Sequence, residues 1–179
     1  GCRRSGVRID RGSRPRARCP CDHGSKQGCS WNEAEAPARA KNPVTPVRIA
    51  IVGSRRLPQE RARAIIFGGV AGTPEDAVIV SGGARGPVGS KTTVSADREA
   101  ARAARFYRRT LDEYPVTAAE WNTLGMRAGP ERNQRIVDSL SGPEDRMVCL
   151  WDGVSAGTRD VGQRAEWAGV RVRVVVVRG

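Results

Sequence analysis

The amino-acid sequence predicts an α/β protein: a Rossmann-like fold whose mostly parallel, five-stranded sheet has helices on both faces. From Val47 onward, apolar runs of strand length alternate with amphipathic stretches of helix length. The strand segments are almost continuously apolar, which is typical of parallel strands that are covered on both faces. Glycine-containing segments follow the strands, at the positions where such sheets bind ligands.

Each element is predicted from its own local pattern. Short runs rich in β-branched and apolar residues predict strands at 47–52, 77–81, 113–116, 146–151 and 172–177. Helical spacing of small and apolar residues predicts helices at 58–67, 96–109, 130–140 and 158–168. Ser95 is expected to be the N-cap of the second helix, and Pro130 suits the first turn of the third.

Composition and charge narrow the class of protein. The 179 residues are 39% apolar and 4% aromatic and carry a net charge of +12, so we expect an aliphatic core and anionic partners. No run approaches the roughly 18 apolar residues of a membrane span, and no apolar segment typical of a signal peptide is present. The five cysteines do not form the pattern of a disulfide scaffold, so a reducing cytoplasm is predicted.

The first 46 residues differ from the rest and are interpreted as a basic, disordered arm that precedes a domain at 47–179. The arm holds 10 Lys/Arg against 4 Asp/Glu, a net charge of +6, which is half of the total. A start at Val44 would place the first strand close to the N-terminus. We therefore hypothesise that residues 1–43 are upstream or non-native sequence.

One cluster in the arm has residue types that bind metal. Three thiols and an imidazole could form a tetrahedral zinc site, but the spacing is cramped and lacks the usual C-x2-C pair. The sequence therefore favours unstructured thiols, and no cofactor is expected. The candidate ligands are Cys19, Cys21, His23 and Cys29.

Four loops are expected to meet at the carboxyl edge of the sheet and to bind an anion. Glycine lets backbone N–H groups approach an anion, and a following helix adds its positive end. Arginine supplies paired donors for phosphate. The candidate ligand-binding residues are Gly53, Ser54, Arg55, Gly82, Gly83, Arg85, Gly86, Trp121, Arg132, Asn133, Ser155, Gly157 and Thr158.

The segment VIVSGGARGPVGSKTT, at 78–93, is not interpreted as the P-loop of an ATPase. That motif needs a lysine directly after its last glycine, whereas Ser90 separates Gly89 from Lys91. Asp152 follows an apolar strand, as the aspartate of a Walker B motif does, but a glycine-containing turn comes directly after it. We therefore interpret GGARG as a phosphate-binding segment of another kind.

Four segments together resemble the YspA-related SLOG family: IVGSRR, VIVSGGARG, AEWNTLGMRAGPERNQRIVD and WDGVSAGTRDVGQRAEWAGVRVRVV. The resemblance covers about residue 47 to the C-terminus. It implies a Rossmann-like fold that binds a nucleotide or a nucleotide-derived ligand. Relatives in this superfamily include the Lonely Guy phosphoribohydrolases and DNA-processing protein A. The positions that match the family's motifs are Gly53, Ser54, Gly82, Gly83, Arg85, Gly86, Arg132, Asn133, Gly157 and Thr158.

Two departures from the family bear on activity. The aspartate that normally follows GGARG is replaced by Pro87-Val88, and Asp97 either takes its role at a ribose hydroxyl or is a helix N-terminal acid favoured by the dipole. Lonely Guy enzymes carry a glutamate three residues after the threonine of the glycine turn, and here Val161 stands at that position. Cleavage of a nucleotide N-glycosidic bond would then depend on another carboxylate. The candidates are Asp97, Asp152 and Glu120.

The sequence leaves two classes of function open. One is the binding of a nucleotide, as a sensor or a hydrolase, with Trp121 either stacking on the base or packing at the edge of the site. The other is nucleic-acid binding through the basic arm and the arginines of the second helix, which would weaken steeply with salt. The single histidine, His23, lies in the arm, so histidine-dependent triads are excluded from the domain. A homo-oligomer is compatible with either function.

Overall fold

The structure is a computed structural model that describes residues 45–84, 90 and 92–178. The described strands are β1 (Arg48–Gly53), β2 (Leu57–Pro58), β3 (Val78–Ser81), β4 (Thr93–Val94), β5 (Thr110–Glu113), β6 (Arg146–Trp151) and β7 (Arg171–Val176). The described helices are α1 (Gln59–Ala71), α2 (Ala96–Phe106), α3 (Ala118–Leu124), α4 (Ala128–Asp138) and α5 (Ala156–Trp167), with a 3-10 turn at Gly125–Arg127.

The main sheet has the strand order β5-β3-β1-β6-β7, and all of its pairings are parallel. A separate antiparallel ribbon pairs β2 with β4. From β1 the chain first builds toward β3 and β5, and it then returns to the other side of β1 to form β6 and β7. The strand order therefore reverses between β1 and β6, which is the point where open α/β sheets form a ligand crevice.

Alternate residues of the central strand face two different helix layers. Ile49 and Ile51 of β1 pack in the core cluster that contains α1 and α2. Ala50 and Val52 belong to the cluster formed with α4 and α5. Because side chains alternate along a strand, this division confirms the predicted parallel sheet with helices on both faces.

Small residues let α2 lie close to the sheet. Ala96, Ala100, Ala103 and Ala104 are fully buried, and they recur at the helical spacing that the sequence indicated. The buried carboxylate of Glu99 accepts hydrogen bonds from Arg63 of α1, at 3.0 Å, and from Arg102, at 3.2 Å. The start of α2, which borders the ligand edge of the sheet, is thereby fixed to α1.

Other arginines of the predicted basic helix also have intramolecular partners. Arg105 contacts Glu113 at 3.2 Å, and Arg109 donates to the hydroxyl of Thr73 at 3.1 Å. Arg108 adopts a left-handed backbone with φ 54. The helix predicted at 96–109 therefore ends early, at Phe106.

One local prediction was wrong, one was confirmed only in part, and one helix was not predicted. The third strand of the sheet lies at Thr110–Glu113 and not at 113–116, because Leu111 is the one apolar residue of this edge strand and one residue makes no apolar run. Ser95 is the N-cap residue of α2, as predicted, and its carbonyl accepts from the backbone N–H of Glu99 at 3.1 Å, but its hydroxyl donates to the carbonyl of Ala84 at 2.8 Å and makes no capping hydrogen bond. Helix α3 was not predicted; it is short, and none of its residues is buried.

Some predictions concern residues outside the described ranges. The arm, with Cys19, Cys21, His23 and Cys29, is one of these, and Arg85 and Gly86 are others. Within the described ranges, none of the helices combines the length and the apolar character needed to cross a bilayer.

Candidate functional site

A cleft of about 420 Å³ opens at the carboxyl ends of β1 and β6, at the reversal of the strand order. We call it the first cleft. It brings together residues from the ends of both strands and from α2, α4 and α5, which are distant in the sequence. Its described lining is Val52, Gly53, Arg55, Arg56, Ala84, Asp97, Arg132, Asn133, Asp152, Ser155, Gly157, Thr158 and Val161.

Gly53 and Ser54 lie beneath this cleft, where the central strands β1 and β6 are paired. A Cβ at Gly53 would lie 2.1 Å from the carbonyl oxygen of Leu150, so only glycine allows the strands to approach this closely. The buried hydroxyl of Ser54 accepts from the backbone N–H of Asp152 at 3.1 Å and lies 3.3 Å from the hydroxyl of Thr158. Ser54 therefore positions the loop after β6 and does not itself line the cleft.

The loop after β6 presents the N-terminus of α5 to the first cleft. The Asp152 carboxylate accepts from the backbone N–H groups of Val154 and Ser155, at 3.0 and 2.8 Å. Partial burial acts to raise the pKa of Asp152, but these N–H groups outweigh it and lower the pKa below its ordinary value. Ser155 caps the helix through the N–H of Thr158. The loop is thus fixed by its own hydrogen bonds.

The first turn of α5 can accept an anion. The N–H groups of Ala156 and Gly157 have no acceptor among the described residues, and they carry the positive end of the helix dipole. A Cβ at Gly157 would meet no atom within 4 Å, so space is open in front of the backbone there. A helix N-terminus with this access is a typical binding position for phosphate or carboxylate.

Asp97 and Arg132 form a buried ion pair against the backbone of Gly82. Asp97 is only 2% exposed, and its Oδ2 accepts from Arg132 at 3.3 Å and from the N–H of Ala84 at 3.1 Å. Arg132 also donates to the carbonyl of Gly82 at 2.6 Å. A Cβ at Gly82 would lie 1.8 Å from the Arg132 guanidinium, which explains the glycine in physical terms.

Two atoms of this pair have no hydrogen-bond partner. Among the described residues, neither Oδ1 of Asp97 nor Nε of Arg132 finds one, although both atoms are buried. Burial is the largest influence on the pKa of Asp97 and raises it, while the guanidinium of Arg132 acts in the opposite direction. Because both residues line the first cleft, a ligand there could satisfy an acceptor and a donor that the described residues leave open.

Asn133 connects α4 to α5. Its amide donates to Asp160 at 2.8 Å and to the carbonyl of Gly157 at 3.3 Å. Asp160 also accepts from Arg164 at 3.0 Å, so its carboxylate is engaged. Asn133 thereby orients the N-terminus of α5, and Val161, one turn further on, faces the first cleft with an apolar side chain.

A second cleft of about 340 Å³ adjoins the first. The two share Arg55, Ala84 and Arg132 in their linings. The side chain of Trp121 from α3 is 45% exposed and lines the second cleft. Its described lining is Arg55, Gly82, Gly83, Ala84, Pro115, Val116, Trp121, Gly129 and Arg132.

Gly83 shapes the boundary of the second cleft. Its φ is +63, and a Cβ there would also lie 3.1 Å from Pro115. Both the left-handed backbone and the close proline favour glycine at this position. The turn after β3 can therefore pack closely against Pro115, in the segment that leads to Trp121.

Glu120 is the one predicted catalytic candidate that lines neither cleft. It accepts from the backbone N–H of Thr117 at 2.7 Å in a capping box, and it pairs with Arg135 at 2.8 Å. The hydrogen bond from the Thr117 backbone is the main reason that the pKa of Glu120 is lowered. These contacts give Glu120 a structural role at the start of α3.

Sequence reasoning missed several lining residues. Arg56 lines the first cleft, and its position directly after Arg55 was the available signal. Pro115 and Val116 line the second cleft, but they were assigned to a strand. Val161 was noted only for the glutamate it replaces, and its place in the lining could not be read from the sequence.

The fold and the site together define a Rossmann-like α/β protein with two adjoining, ligand-sized clefts at the carboxyl edge of its sheet. Comparisons with protein-family models, with curated proteins and with solved structures gave no match for this chain.

Proposed function

We propose that the protein binds a nucleotide or a nucleotide-derived ligand, with phosphate in the first cleft and the base in the second. The observation that carries this proposal is the different chemistry of two clefts that adjoin through Arg55 and Arg132. One presents a helix N-terminus and cations, and the other presents an aromatic ring. The resemblance to the SLOG family points to the same class of ligand.

The charges of the first cleft favour a phosphate. Arg55 and Arg56 line it, and no described carboxylate lies within salt-bridge distance of either. Their guanidinium groups are therefore available for paired hydrogen bonds to an anion. Arg132 is already bonded to Asp97 and Gly82. In our proposal it therefore holds these residues in place, and its Nε donates a hydrogen bond to the ligand.

The second cleft suits a planar base. Trp121 offers a partly exposed ring beside Pro115 and Val116. Stacking of a base on an aromatic side chain contributes about 1–3 kcal/mol and depends little on the identity of the base. We therefore propose Trp121 as the base-stacking residue, without assigning which base it holds.

Between phosphate and base, Asp97 and Arg132 are suited to a ribose. Among the residues that the structure describes, none donates to Oδ1 of Asp97 and none accepts from Nε of Arg132. A hydroxyl group supplies both a donor and an acceptor. In this arrangement Asp97 takes one of the two roles that the sequence left open, the contact with a ribose hydroxyl.

We propose binding without hydrolysis. Asp97 is paired with Arg132 and is assigned here to a ribose hydroxyl. Asp152 is engaged in its own loop, Asp160 is bonded to Asn133 and Arg164, and Glu120 caps α3. Val161 offers no carboxylate. A binding protein of this kind would act as a sensor, and chromatography of a nucleotide incubated with the protein would then show no released base.

The alternative of nucleic-acid binding remains a prediction that no described contact favours. Arg102, Arg105 and Arg109 each have a partner within the protein, so the helix offers less free charge than the sequence indicated. The contribution of the basic arm lies outside the described residues.

The test is a thermal-shift screen of the full chain against nucleoside mono-, di- and cyclic phosphates, followed by calorimetry on any hit. Trp121→Ala is expected to weaken binding about 5- to 150-fold, which corresponds to the loss of one stacking contact. Trp167→Ala is the matched control, because Trp167 is 83% exposed at the end of α5 and lines neither cleft.

The proposal fails if no nucleotide stabilises the chain, or if both tryptophan variants change affinity equally. Tight oligonucleotide binding that collapses with added salt would instead support the nucleic-acid alternative. Release of free base during incubation would show that the site is catalytic.

A further inference from the structure

We propose that a groove on the α1 side of β6 and β7 is a docking surface for an acidic amphipathic helix of a partner protein. We call it the α1 groove. It has a volume of about 390 Å³, and Ile65 and Gly69 of α1 and Val148 of β6 lie on its apolar side. Arg146, Arg171 and Arg173 complete it. It is separate from both clefts and does not depend on their function.

The groove exists because no helix among the described residues covers one face of β6 and β7. On the other face, α5 packs on both β6 and β7, with Val161 and Ala165 in the shared core. On the α1 side, α2 packs on β1, β3 and β5, and no described helix lies beyond α1. Parallel strands are normally covered on both faces. The face of β6 and β7 that no described helix covers therefore offers a position for one more helix.

The rim of the groove carries uncompensated positive charge. Arg146 and Arg171 are direct neighbours in the pairing of β6 with β7, and Arg173 is the neighbour of Val148. Arg171 pairs with Glu144 at 2.8 Å, but no described carboxylate reaches Arg146 or Arg173. Like charges side by side on a sheet are unfavourable, and a carboxylate-bearing partner would relieve that repulsion.

Charge also argues against the chain itself as the occupant. The whole chain has a net charge of +12, so a second copy would bring further positive charge to an arginine rim. The first 46 residues carry +6 and would do the same. An apolar floor with a cationic rim is complementary to a helix that has one apolar face and acidic flanks.

Gly69 gives such a helix room to approach. It lies in the interior of α1, where glycine costs about 1 kcal/mol relative to alanine. A Cβ there would meet no atom within 4 Å, so packing within the described protein does not require the glycine. Packed helices lie about 8–10 Å apart, and a missing side chain on α1 favours the close end of that range.

The test uses the full chain and a fluorescent synthetic peptide helix, built of leucine on one face and glutamate on the flanks. Anisotropy should show saturable binding, and a lysine version and a scrambled version should not bind. Gly69→Trp should fill the groove and weaken binding at least tenfold, as should Arg173→Glu. Gly68→Trp is the matched control, because Gly68 has equal space for a side chain but does not line the groove.

Thermal unfolding of each variant establishes that it is folded before affinities are compared. The proposal is overturned if the acidic peptide does not bind, if the scrambled peptide binds as well, or if the two tryptophan variants bind alike. Self-association of the wild type that Gly69→Trp abolishes in sedimentation would identify a second copy as the occupant, and it would also overturn the proposal.

Discussion

Replacing Gly82 by alanine is the sharpest test of how the first cleft is built. The added Cβ would lie 1.8 Å from the Arg132 guanidinium nitrogen and 2.6 Å from Oδ2 of Asp97. The backbone of Gly82 needs no left-handed conformation, so the conflict is with these side chains alone. We expect Arg132 to swing away from Asp97 toward solvent, where 14% of its side chain already lies.

The magnitude follows from the pair that is lost. Removing one partner of a buried ion pair costs about 3–5 kcal/mol. Asp97 can take up a proton and Arg132 can reach water, so the lower end of that range applies. Alanine returns about 0.4–1 kcal/mol by restricting the unfolded chain. The net loss is therefore about 2–3 kcal/mol in the free energy of unfolding, or roughly 10 °C in Tm for a domain of this size.

Urea unfolding followed by circular dichroism measures this difference. Gly157→Ala is the matched control, since a Cβ at Gly157 meets no atom within 4 Å, and it should change stability by less than about 1 kcal/mol. In an Asp97→Ala, Arg132→Ala background, alanine at position 82 should cost almost nothing. An equal cost in both backgrounds would refute the steric argument, as would a Gly82→Ala protein that is as stable as the wild type.

The remaining predictions concern stability and reactivity. Gly53→Ala should prevent folding, seen as loss of soluble, cooperatively unfolding protein, because its Cβ would lie 2.1 Å from the backbone oxygen of Leu150; a folded variant with unchanged Tm would contradict this. Burial raises the pKa of Asp97 above 3.8, so its contribution to stability is greatest below that pH and falls as the pH rises through the raised value. The pKa of Asp152 is lowered, so its contribution is present above 3.8 and falls as the pH drops through the lowered value. Urea titrations of Asp97→Asn and Asp152→Asn against pH should therefore differ from the wild type with opposite slopes, and parallel curves would contradict the assignment. Burial raises the pKa of Cys149 to about 12, so peptide mapping after iodoacetamide at neutral pH should find it alkylated only in denaturant; labelling of the folded protein would show the reverse.

The strands at the centre of the sheet could be predicted from the sequence because they are buried on both faces. The strand predicted at 146–151 has those bounds in the structure, and the first strand differs by one residue at each end. The edge strand Thr110–Glu113 was misplaced because it has a single apolar residue, Leu111, and three polar ones, which leave no periodic signal. Helix α3 carried a signal that was overlooked, since Thr117 and Glu120 have the spacing of a capping box.

The sequence also predicted which loops lie at this edge of the sheet, but not the contacts within them. Glycines and arginines after strands predicted a common edge, and the two clefts bring those of them that the structure describes together there. The pairing of Asp97 with Arg132 joins residues 35 positions apart, and no local pattern encodes it. Which of several arginines is engaged and which is free depends on the packing of three helices, so it required the structure.

The first cleft draws its walls from both helix layers, with Asp97 from α2 on one side of the sheet and Asn133 and Thr158 from α4 and α5 on the other. A bound ligand would therefore contact both helix layers, which must separate when the domain unfolds. At a hundred times its dissociation constant, it would add about 2.7 kcal/mol to the cost of global opening. Resistance to cellular proteases would then rise with ligand supply, and the amount of this protein would itself report how much ligand is present.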